Sequence, residues 1–129
     1  MKASSKELKV VTTYLQLNRK YLRGADDLAA KGDYAQASEK LWGAFVEIVK
    51  AVAESRGERL GTHRSIAQYL LKLDKENPKL RLHDAFAHAD KLHTNFYEDH
   101  LPAEDMLRST EVLKKAIHEM NEVFLTTGR

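Results

Sequence analysis

Cysteine is absent from the 129-residue chain, which excludes a disulfide framework and any zinc site built on thiolates. No run approaches the ~18 apolar residues that a membrane-spanning helix needs. The opening MKASSKELKVV lacks the continuous apolar core of a signal peptide. A cytoplasmic protein with no membrane association is therefore expected. An excess of one charge is lacking too: 21 Lys and Arg stand against 19 Asp and Glu, leaving a net charge of +2. The cations are scattered, so composition permits nucleic-acid binding without arguing for it. Proline (two) and glycine (six) are scarce, and no strand alternation, internal repeat or low-complexity segment interrupts the helical period.

What remains is a run of amphipathic helices, the expected fold class being all-α. At this length one domain is expected over 1–129, with its core at about 5–125. The spacing predicts a first helix over Ser5–Ala30, with Leu8, Val11, Leu15, Leu22, Ala25 and Ala29 as its apolar stripe. Gly32 suits the left-handed position after a helix end, and Asp33 suits an N-cap with Gln36 as its reciprocal partner. A second helix over Tyr34–Ser55 carries two adjoining apolar stripes, one through Leu41, Phe45 and Ile48, the other through Trp42, Val46 and Val49. Its place is accordingly central. Gly43 in its interior suggests close approach by another helix.

A third, short helix is expected from His63 to about Leu73 behind Thr62, with Ile66, Ala67, Leu70 and Leu71 on its apolar side. Pro78 opens a fourth, Leu80 to about His100. Pro102 takes the first position of a fifth helix, whose core stripe holds Met106, Leu113, Ala116, Ile117, Met120 and Phe124, before a frayed end at 126–129. Short loops between such helices favour an up-and-down bundle of four to five helices.

The segment Leu80–Asp99 and its border hold four of the six histidines. At about 100° per residue, Leu82, Ala85, Phe86, Ala89, Leu92, Phe96 and Tyr97 share one side, and Arg81, Asp84, His88, Lys91 and Asn95 share another. His93 falls among the apolar residues, as a core histidine with a buried partner, a site residue or a subunit contact. His88 reads as part of a salt-linked surface, with Asp84 one turn away. His83, His88 and His93 are five apart, about 140° around the helix. Neither paired metal histidines nor the Glu-x-x-His pattern of di-iron bundles is present, so no metal or other cofactor is expected. No serine sits in a GxSxG elbow, and RGERLG reads as an ordinary loop rather than a phosphate cradle.

Three segments together carry a resemblance: Gly32-Asp33-Tyr34, then QASEKLWGA with Glu39, Lys40 and Trp42, then ADKLHTNFYE with His93, Asn95 and Tyr97. They resemble the archaeal PaREP-type proteins of the HEPN superfamily over about Leu15–Phe124. The resemblance implies a four- to five-helix bundle, often a homodimer packed through the helix that bears the family histidine. Many HEPN proteins are metal-independent ribonucleases, some of them toxins paired with a nucleotidyltransferase. Their motif places an arginine, usually followed by a polar residue, four to six residues before a histidine.

His93 matches the family histidine, but Ala87, His88 and Ala89 stand where the arginine belongs. Arg81 and His88 are separated by six residues, with Leu82 in place of the polar residue and out of register with LHTNFYE. The expectation is a non-catalytic HEPN-like module that binds a nucleotide, RNA or protein partner as a dimer. Two alternatives stand beside it. One is a ribonuclease using His93, or His88 with Arg81; the other is a purely structural interaction protein.

Overall fold

The computed structural model describes residues 4–125, so the end expected to fray, 126–129, lies outside the described residues. The described residues form five α-helices: α1 (Ser5–Ala30), α2 (Tyr34–Ser55), α3 (His63–Glu76), α4 (Leu82–Glu98) and α5 (Ala103–Met120), the last running into a π-helical turn, Asn121–Leu125. No strand occurs among the described residues, and the all-α bundle stands as expected. No helix among them is long and apolar enough to cross a membrane.

The helix ends follow local chemistry. Ser4 and Glu7 satisfy each other's backbone N–H at the start of α1, at 3.1 and 2.7 Å. Gly32 takes φ 81° after α1, and the Asp33 side chain accepts from Gln36 N at 3.2 Å to open α2. Thr62 and Ser65 form the reciprocal pair at α3.

α2 is the central helix and packs against α1, α3, α4 and α5. Leu41, Phe45, Ile48, Val49 and Val52 are all but inaccessible, and buried residues from all five helices join them in one cluster. Gly43 has the neighbour its position suggested. A Cβ there would lie 3.0 Å from the Tyr21 ring of α1, so the absent side chain is what lets α1 close on α2.

Several expectations fail at the borders. α3 continues three residues past Leu73, to Glu76. Pro78 does not open α4: Pro78–Leu80 is a single 3-10 turn, Arg81 is left-handed at φ 51°, and α4 begins at Leu82. The cause is tertiary. Asp74 of α3 accepts from Leu82 N (2.7 Å) and His83 N (2.9 Å), and so caps α4 from outside its own sequence. Helix α4 ends at Glu98, with Asp99 left-handed at φ 45°. Pro102 is the N-cap of α5 rather than its first residue.

Some faces also differ from expectation. Asn95, grouped with the polar side, is fully buried, whereas Tyr97, grouped with the apolar side, is 70% exposed. Leu8 and Leu71, placed on apolar stripes, are about half exposed. Leu8 lies in the first turn of α1, at the end of the bundle.

Candidate functional site

Three helices meet where Trp42 of α2 lies against His63 of α3 and His93 of α4. The His93 ring stacks on the Trp42 indole, with centroids 4.6 Å apart and planes 20° off parallel. His63 meets Trp42 edge-on at 4.9 Å and His93 at 5.6 Å. Tyr97, one turn beyond His93 on α4, stands edge-on to it at 5.5 Å. The spacing that produces this is simple. Glu39 and Trp42 are three apart on α2, and His93 and Tyr97 are four apart on α4, so each pair projects from one side of its helix.

His93 Nδ1 donates to Glu39 Oε1 at 2.8 Å, with both side chains partly exposed. Because a carboxylate oxygen accepts, the contact puts a proton on Nδ1 and turns Nε2 away from Glu39. His93 is thus neither a sealed core residue nor a free surface one. Among the described residues its ring and hydrogen-bond partners are Glu39, Trp42, His63 and Tyr97, and none is an arginine. The neighbours anticipated from one helix, Phe86 and Phe96, contact the other members of the corner instead: Phe86 lies 6.1 Å from Trp42, and Phe96 lies 4.8 Å from Tyr97.

The remaining residues singled out from the sequence fall into three places. Gly32 and Asp33 shape the α1–α2 turn. Lys40 turns toward α1, its Nζ 5.4 Å from the centre of the Tyr21 ring, and lines a cleft that Glu39 and Trp42 also border. Asn95 works inside the bundle. Its Nδ2 donates to Ser38 Oγ at 3.1 Å, and its Oδ1 accepts from His100 N and Leu101 N, both at 2.8 Å. It therefore locks α4 to α2 and holds the α4–α5 turn.

Arg81 and His88 lie together, away from His93. Both line a groove of about 580 Å³ between the start of α4 and α5, with Lys79, Asp84, Lys115 and Glu119 on its rim. The anticipated Asp84–His88 pair is not made. Asp84 instead takes the Arg81 guanidinium, Nε at 2.9 Å and Nη2 at 2.7 Å, while His88 Nδ1 and Ser109 Oγ hydrogen-bond at 2.9 Å. Burial, with Lys91 nearby, holds the His88 imidazole below its usual pKa, against a smaller opposing pull from Asp84. Among the described residues no group of three or more His, Asp or Glu is placed to hold a metal ion.

Two residues of interest were not anticipated. His63 reads in the sequence only as the opening of a short helix; nothing local indicates that the first turn of α3 meets Trp42. Glu47 lies two turns beyond Glu39 on the same side of α2, past Gly43. With Tyr21 and Trp42 these residues line a cleft of about 250 Å³. Glu47 Oε2 is buried there without a hydrogen-bond partner, and burial pushes its carboxyl above the usual carboxylate range, against a smaller pull from Lys50.

The fold and corner define a class: a small all-helical bundle with an aromatic, histidine-bearing edge. Within that class the chain belongs to the archaeal PaREP1/PaREP8 family, whose model matches residues 13–117. No curated protein and no solved structure matches the chain.

Proposed function

We propose that the chain is an HEPN-like helical module without catalytic activity that acts as a homodimer and presents the Glu39–Trp42–His63–His93–Tyr97 corner to RNA or a nucleotide. One observation carries this reading. Residues from two separated family-like segments converge on a ring cluster in which Trp42 is buried and His63 and Tyr97 are exposed, and the histidine at its centre is held by a carboxylate, with no arginine among its partners in the described residues. Exposed rings stack on any base at about 1–3 kcal/mol each, and the Glu39 carboxylate and the second ring nitrogen of His93 add polar partners for a base or ribose. A phosphodiester cleavage centre needs a cation for the charge that develops on phosphate, and among the described residues the side chains that contact His93 include no Lys or Arg.

Fluorescence anisotropy with short single-stranded RNA tests the reading. Tyr97→Ala and His63→Ala are expected to weaken binding by at least about fivefold, with the RNA left intact in metal-free buffer. Cleavage that disappears in His93→Ala would overturn it.

A second reading is supported by Arg81 and His88 sharing one groove. It is a diverged metal-independent ribonuclease, in the setting of a toxin with a nucleotidyltransferase partner. It requires cleavage that vanishes in Arg81→Ala, and an adjacent nucleotidyltransferase reading frame would favour it. A purely structural role predicts a co-purifying protein and a low ratio of 260 to 280 nm absorbance.

A further inference from the structure

Helices α1 and α5 both pack on α2 without packing closely against each other. Between them lies a slot of about 370 Å³, within the size range of small-molecule sites. Its apolar surface comes from Leu15 and Leu22 of α1, Ile48 of α2 and Ile117 of α5. The lining runs from residue 15 to 26 on α1 and from 114 to 121 on α5. Asp26 and Lys114 are the terminal members of those two walls, and their 2.6 Å ion pair ties the helices together at that end. At the other end stands Asn121, where α5 gives way to the π-helical turn, a rare conformation that recurs at functional sites.

The polar groups decide what fits. Asn18, 95% buried, also lines the slot and spends one N–H on Ala44 O at 2.6 Å; its carbonyl oxygen and second N–H remain. The one carboxylate of the lining, Asp26, is engaged by Lys114. Arg19 makes no ion pair among the described residues. The surplus charge of the slot is therefore positive and sits at the edge of an apolar floor. Its volume, about 370 Å³, is that of a compact molecule.

We propose that this slot binds a small amphipathic anion, a carboxylate on a compact apolar or aromatic body. The body lies on Leu15, Leu22, Ile48 and Ile117, and the head meets Arg19. The site is separate from the aromatic corner on α2, α3 and α4, and its occupancy is independent of RNA binding there.

Benzoate and octanoate, titrated into methyl-labelled protein and followed by NMR, test this. Saturable shifts centred on the Leu15, Leu22, Ile48 and Ile117 methyl groups are expected, with no comparable binding of benzamide or octylamine. Arg19→Gln, a surface change, is expected to weaken binding about fivefold, and Leu22→Trp is expected to fill the slot and abolish binding. Shifts that fail to saturate, shifts centred elsewhere, equal affinity for the neutral or cationic probes, or unchanged affinity in Arg19→Gln would each overturn the proposal.

Discussion

Individual side chains here divide into those that hold the bundle and those that face outward, and the division does not follow polarity. Asn95 is polar and completely buried, and one amide serves Ser38 and two backbone N–H groups. Asn95→Ala is expected to destabilise the protein by about 2–4 kcal/mol in urea unfolding, because three groups lose their partner at once. A loss under about 1 kcal/mol would contradict that role. Glu47 gives a pH signature. Its carboxyl binds its proton more tightly in the folded chain, so over the window above the ordinary carboxylate pKa the folded state holds more protons than the unfolded one. Stability contributed by this group is present below that window and falls as pH rises through it. Glu47→Gln should flatten this decline in melts compared at pH 4 and 7, raising relative stability at the higher pH; parallel profiles for the two proteins would refute it.

Helix lengths in the chain are set as much by neighbours as by propensity. The border between α1 and α2 was legible because Gly32 and Asp33 mark it through residues next in sequence. The start of α4 was not legible, since the cap comes from Asp74, eight residues upstream on another helix. The same helix ends on Asp99, a non-glycine residue in the left-handed region. That conformation costs L residues roughly 1–2 kcal/mol, so Asp99→Gly is expected to raise stability by about 1 kcal/mol in chemical denaturation. No gain, or a loss, would mean that the Asp99 side chain itself holds the turn. Gly43 belongs to the same scale. Its value lies in the passage of Tyr21 across α2, and Gly43→Leu is expected to cost about 1–3 kcal/mol by forcing the two helices apart.

For the molecule as a whole, the proposed homodimer predicts twice the chain mass by light scattering and a melting temperature that rises with protein concentration. A chain-mass particle at every concentration would remove it. The 3.6-residue period of the apolar positions, the short loops and the two adjoining stripes of α2 determined by themselves that the chain is an all-helical bundle with α2 at its centre. They did so because burial of a helical stripe repeats with the backbone's own geometry. They also placed Glu39, Trp42, His93 and Tyr97 on their helices. Only the tertiary structure decided that these four meet one another and His63, that Arg81 and His88 open onto a different groove, and that α1 and α5 leave a slot over Ile48. The physical reason is that a helical wheel fixes the angle of a side chain about its own axis. Which helix stands opposite, and how closely, depends on the packing of side chains far apart in the chain.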